Sequence, residues 1–440
     1  MKKVLALILS ICLAATMLAG CAQKPTSTST PASGSAVSKP TGKQLSGKVV
    51  YWAMWNEEEP EAKAIQKAIE MFEKDYPDCK VEVQWLGRSN SDLVGPALEG
   101  GEQIDLLDNF SYTNNSERWM DITDMMTGPA LGQENITVAE SILPILQIAN
   151  TTEQAKAKLA TDKYYGVQMN PWVVGVFYNK ALFEQAGIKA TPNTWAEFLD
   201  CCKKLKAAKI APITCDDAYM TIIPNNYLAR TAGLEMVAKL GESATDEAWQ
   251  SDIVKNTFSA MEELSDYMSP NTATNKYPAG QQEFALGEAA MYMNASWMPS
   301  EVAETTGDDF KWGFFGYPTI DGSVEDSSFV SVGGIPMAVY KDSKNPEAAK
   351  EVLRYIVSKE AQDCLSENGG APCTVGTEWT GARAECTTVI GNAKTVANLG
   401  CNLGSEFISA VFNTEMNKVL TKQTTAEKAL ATLYKEAAKY

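Results

Sequence analysis

Apolar positions recur along the chain with two different periods, and the periods alternate. Val49 to Met54 is a short apolar run of strand length. Pro60 to Lys74 repeats apolar residues at Ile65, Ala68, Ile69 and Phe72, the i, i+3, i+4, i+7 spacing of a helix with one buried face, and Pro77 closes it. "KVEVQWL" then alternates Val81, Val83 and Trp85, and a Gly100-Gly101 turn leads to the apolar "IDLLDNF". Strand, helix and strand in this order predict a parallel sheet covered by helices.

The same patterning continues downstream. Thr194 and Glu197 form a capping box ahead of a helix burying Phe198, Leu199, Cys202 and Leu205. Phe284 to Val302 and Val332 to Ser358 are further ordered blocks. In the second, Asn345 is expected as N-cap and Pro346 as first helical residue, with Ala349, Val352, Leu353 and Ile356 facing inward. The folded part is too long for one ordinary core, so two domains are expected.

The chain start has a different character. Lys2 and Lys3 precede an apolar run from Val4 to Met17, too short for a transmembrane helix and typical of a secretory leader over 1–20. "LAGC", Leu18 to Cys21, resembles the lipobox of bacterial lipoproteins, which implies a lipidated Cys21 as mature N-terminus. From there to 47 the chain is mostly Ser, Thr, Pro, Gly and Lys, a leash reaching on the order of 25 to 30 Å over ~25 residues.

Charge and composition then exclude whole classes. Loss of the leader, with two lysines and no acid, takes the formal charge from −17 to −19, a surface that repels nucleic acid. The sequence contains no histidine, which removes Ser-His-Asp and Cys-His nucleophiles and His-ligated zinc. Carboxylate chemistry such as glycoside hydrolysis remains, as does binding without chemistry. Eight cysteines follow Cys21, none with CxxC spacing, so neither a metal nor another cofactor is expected; Cys364 with Cys373 is a plausible disulfide.

Three blocks in order carry a family resemblance: Tyr178, Asn179, Lys180, Phe183, Gly187, Pro192, Thr194 and Trp195; Gly287, Ala289, Ala290, Met291, Ser296 and Trp297; and Lys344, Asn345, Pro346, Ala348 and Ala349. The chain resembles the extracellular solute-binding proteins of ATP-binding-cassette importers, specifically the carbohydrate-binding, maltose-binding-protein-like group. That resemblance implies an α/β, two-lobed periplasmic-binding-protein-like fold of type II, with discontinuous lobes and a multi-crossing hinge. Lobe 1 would comprise 48–168 with 319–342 and lobe 2 169–318 with 343–440. The hinge would cross near Gln168–Trp172, Tyr317–Ile320 and Tyr340–Asn345, and would close on solute.

It further implies a carbohydrate ligand in the cleft, permease subunits as partners, a monomer, no nucleic acid, and lipid anchoring on the outer face of a Gram-positive membrane. The candidate ligand residues follow from strand ends and motifs. Trp55, Asn56, Glu57 and Glu58 follow the first strand where parallel sheets place ligands, Glu57 being preferred and Glu58 the reserve, though acids there also suit a helix start. Asn109 and Tyr112 follow another strand end, and Trp172 stands six residues before the Tyr-Asn-Lys motif. Asp217 and Tyr219 occupy the family's acid and stacking-aromatic region, Trp297 matches its sugar-stacking residue, and Asn294 and Gly334 complete the wall. Rings would cover sugar C–H faces while carboxylates and amides read hydroxyls. A polyamine, held by acids and cation-π contacts, and a two-carboxylate glycosidase are the alternatives.

Overall fold

A computed structural model describes residues 44–109, 116–307 and 309–440. The leader, Cys21, most of the leash and Tyr112 lie outside the described residues. Nine strands are described: β1 (Gly47–Ala53), β2 (Cys79–Trp85), β3 (Leu106–Asp108), β4 (Val167–Asn179), β5 (Ala211–Thr214), β6 (Ala289–Ala295), β7 (Trp312–Phe315), β8 (Phe329–Val339) and β9 (Thr395–Ala397). The path runs β2-β1-β3-β8-β4-β6-β5, with β7 on β4 and β9 on β8. Pairs β1/β2, β1/β3, β5/β6 and β8/β9 are parallel, as the strand-helix-strand order predicts, whereas β4 and β8 pair antiparallel.

Two large apolar cores flank this path. One gathers Val49, Tyr51, Ile65, Phe72, Leu146, Met337, Leu353 and Cys373. The other gathers Phe198, Leu205, Leu228, Phe258, Met291, Phe412 and Leu433. The periodic segments supply them as expected: the helix Pro60–Asp75 buries Ile65, Ala68 and Phe72, and Trp195–Ala207 begins at the Thr194/Glu197 capping box.

β4 is common to both sides. Its residues 167–173 pair with β8, and its residues 174–179 pair with β6 and β7. The ribbon has a bulge between Met169 and Trp172, where Asn170 takes a left-handed φ of 43° and Pro171 has no N–H to lose from the ladder. The strand that pairs with the first half of β4 is β8, at 329–339, and Tyr317–Ile320, expected as a hinge crossing, lies outside it. Tyr317 is instead fixed in the second core, stacked on Trp195 at 5.9 Å, with its hydroxyl donating to the Ile223 carbonyl at 3.0 Å.

Chain after 343 also divides differently from the expected block. The helices Pro346–Ile356 and Lys359–Glu367 pack on Pro60–Asp75, where Tyr355 meets Phe72 edge-on at 5.6 Å and donates its hydroxyl to Asp75 at 2.6 Å. Only the later helices Asn413–Leu420 and Ala426–Ala437 pack against Asp252–Ser265 in the other core. Asn345 precedes its helix without capping it, because its amide donates to the Lys48 carbonyl at 2.6 Å. The Cys364/Cys373 bridge is not formed: Cys373 is sealed in the first core while Cys364 lies half-buried near Lys67, and all eight described cysteines are free thiols.

Candidate functional site

Where β1 ends, its loop is pinned from below. Asp108 at the end of β3 accepts from the Met54 N–H at 2.7 Å, the Tyr51 hydroxyl at 2.7 Å and the Asn90 amide at 3.0 Å. Burial pushes the Asp108 carboxyl up to about 7 against the pull of these donors. Trp55 is thereby held at the β1 end, with the Arg88 guanidinium 5.0 Å above its ring. Arg88 also donates to the Met54 carbonyl at 2.8 Å and forks onto Glu59 at 3.1 Å. The parallel register that sets Ala53 beside Trp85 brings Arg88 here.

A cavity of about 710 Å³ opens beside this loop. Its floor is the bulge, Asn170 and Pro171, with Trp172 and Ile335 of the β4–β8 ribbon. One wall is Trp55, Glu58, Glu59 and Glu61 with Arg88; another is Tyr219, Trp297, Ser300, Glu301 and Glu304, and Arg383 completes it. Aromatic rings run along it in contact: Trp172 meets Trp297 edge-on at 5.7 Å, Trp297 meets Tyr219 at 6.3 Å, and Tyr219 meets Tyr277 at 5.8 Å. Such a row offers successive flat apolar faces with polar groups at its margins.

The charged groups are unevenly matched. Glu61, at the first turn of its helix, is buried, which raises its carboxyl above the usual range while Arg383 draws it down. Glu301 opens onto the cavity; the crowding walls raise its carboxyl, opposed by donors from Gln281 at 2.6 Å and Tyr277 at 3.4 Å. Five carboxylates and two guanidinium groups line the space. Among the described residues no group of His, Cys, Asp and Glu could hold a metal ion.

Of the residues expected from sequence, the cavity brings together Trp55, Glu58, Trp172, Tyr219 and Trp297. Asn56 and Glu57 are exposed outside it, and Asn56 donates to Glu59 at 2.8 Å. Asn109 donates to Asn90 at 3.3 Å. Asp217 is turned outward to Lys276 at 2.8 Å, which holds its carboxyl below the usual range; its neighbour Asp216 is buried and accepts from the Tyr292 hydroxyl at 2.8 Å. Asn294 is fully buried in β6 and accepts from the Ala295 N–H.

Gly334 lines a second, smaller cavity of about 280 Å³ together with Gln168, Gly333 and Asn398. Trp172 borders both cavities. Glu59, Glu61, Asn170, Glu301 and Arg383 were not anticipated. Glu301 had a signal, since it lies four residues beyond Trp297; Arg383 had none, because its short helical segment Gly381–Cys386 carries no motif.

A family profile described as bacterial extracellular solute-binding protein matches residues 56–363. The chain is 24% identical over 324 residues to the diacetylchitobiose binding protein NgcE of Streptomyces coelicolor, covering 70% of this chain and 66% of that one. It is 25% identical to the multiple sugar-binding protein of Streptococcus mutans over 49% of this chain and 52% of that one, so the matches span two thirds or less of these relatives. Among solved structures, a chitin oligosaccharide binding protein superposes with a TM-score of 0.67 at 21% identity, covering 90% of this chain and 98% of that one. RafE in complex with raffinose gives 0.65 at 20% identity, covering 89% and 98%. These likenesses establish the fold as that of solute-binding proteins.

Proposed function

Because the chain belongs to the bacterial extracellular solute-binding protein family, whose members are receptors and not enzymes, we propose that it captures a neutral oligosaccharide in the 710 Å³ cavity and presents it to an ATP-binding-cassette permease. The observation that carries this reading is the contact row Trp172, Trp297 and Tyr219 bordered by Glu58 and Glu301. Rings cover the apolar faces of pyranoses, and carboxylates accept from hydroxyls at the ring margin. The volume lies within the ~300–1,000 Å³ range of small-molecule clefts. The sugar-binding names of the relatives support the same class.

In this reading the β4–β8 ribbon is the hinge between the two cores. A sugar touching Trp55 and Glu58 on one side and Trp297 and Glu301 on the other has extra affinity for the closed form and shifts the population toward it. Lipidation at Cys21, attachment outside a Gram-positive membrane and action as a monomer belong to the same proposal. The excess of carboxylates favours a second reading, a polyamine gripped by acids and rings.

Thermal unfolding of the soluble form from about Lys48, with mono- and oligosaccharides and with spermidine, tests both. A ligand at 100 times its dissociation constant adds about 2.7 kcal/mol to the folded state, several degrees in melting temperature. A shift with a sugar recovered intact supports the receptor, a shift with spermidine alone replaces the solute, and a shortened sugar overturns the non-enzymatic reading.

A further inference from the structure

Arg383 is 6% exposed and lines the cavity, yet it has no ion pair within 4 Å among the described residues. Its only hydrogen bond among the described residues runs from Nη2 to the Ser300 hydroxyl at 2.8 Å. Nε is fully buried without a partner. The nearest acids, Glu61 and Glu301, act on it only at longer range, and burial draws its guanidinium below the usual range. A buried cation with an enclosed, unpartnered donor is costly to the free protein. Such a cost persists where something absent from the free chain repays it on arrival.

What arrives must bring an oxygen acceptor. An anion is disfavoured, because five carboxylates share the cavity with two guanidinium groups and Arg88 is already engaged by Glu59. The acceptor is therefore neutral, and an amide carbonyl concentrates more negative charge on its oxygen than a hydroxyl. Met54, Pro171 and Ile335 give the same cavity apolar surface that an acyl methyl group could cover.

We infer that Arg383 is a specificity-determining residue that donates to the carbonyl oxygen of an N-acylated amino sugar bound in the aromatic cavity. This rests on the receptor reading above and adds to it the group that selects among sugars. Ser300 orients the guanidinium from one side and leaves Nη1 for the ligand.

Isothermal titration with N,N′-diacetylchitobiose and cellobiose, β-1,4 disaccharides that differ at C2, tests it with wild type, Arg383→Met and Arg383→Lys. The wild type is expected to prefer the acetamido sugar at least tenfold. Arg383→Met should collapse that ratio to within threefold of unity, whatever the ligand-free melting temperature does once Glu61 has lost the cation that draws its carboxyl down. Arg383→Lys keeps the charge without the fork and should lower the ratio at least fivefold. A falling melting temperature with the preference intact would make Arg383 structural and sink the inference. Equal wild-type affinity for both sugars overturns it alone, whereas a wild type that binds neither these sugars nor any of the wider panel overturns the receptor reading as well.

Discussion

Gly333 stands opposite Trp172 in the β4–β8 register, so close that a Cβ on Gly333 would lie 2.5 Å from the indole Cζ2. The glycine is what allows the ring to lie against the ribbon. Gly333→Ala is therefore expected to displace Trp172, destabilise the ligand-free protein by about 1–3 kcal/mol and weaken sugar binding together with it. Calorimetric unfolding and titration on one preparation check this; a change in neither would show that Trp172 has room to spare.

Trp172 and Trp297 should be energetically coupled in binding. Each change to Ala is expected to weaken the sugar roughly 10- to 100-fold, and the double variant should lose less than the sum, with a coupling of about 0.5–1.5 kcal/mol. A strictly additive cycle would mean that only one ring meets ligand.

The helices and strands that feed this site were legible because their signals are local. Ile65, Ala68 and Phe72 mark a buried face within three turns, and Thr194 with Glu197 needs only three residues to declare a helix start. Strand β8 was not legible, since "VGGIP" reads as a turn by composition, and only its pairing with β4, more than 150 positions earlier, extends it. Arg383 was hidden for the same reason: it meets Ser300, 83 positions earlier, by tertiary contact alone. Glu58 and Glu59 line the cavity and Glu57 does not, and which acid of a tight turn borders a cleft has no period to follow.

Asp108 sets a pH dependence. Its carboxyl stands near 7 when folded, against about 3.9 in an unfolded chain, so the folded state holds a proton that the unfolded state releases between these values. Stability should fall as pH rises from about 4 to 7, by on the order of 4 kcal/mol from this group, and level off above. Asp108→Asn should remove that slope in urea titrations at several pH values; an unaltered slope would assign it elsewhere.

Arg230 provides the contrast to Arg383. It too is buried, but it donates to the Asp326 carbonyl at 3.0 Å and the Phe329 carbonyl at 2.6 Å and lies over Tyr317 and Phe329 at 5.2 Å each. Arg230→Met leaves those carbonyls without their donor and should cost about 2–4 kcal/mol, with sugar affinity held within twofold. Lost affinity at unchanged stability would contradict a structural role.

Asp217→Asn should alter sugar affinity less than twofold. The residue is tied to Lys276 on the surface, where such pairs contribute about 0–1 kcal/mol. A tenfold loss in titration would place it in the site after all.

Trp172 is a wall shared by two cavities. Of the chain's ten tryptophans, it, Trp55 and Trp297 border the larger space. Occupancy of the cleft is therefore written into the protein's own emission spectrum, with no attached dye. A small molecule lodged in the smaller cavity would speak through the same fluorophore.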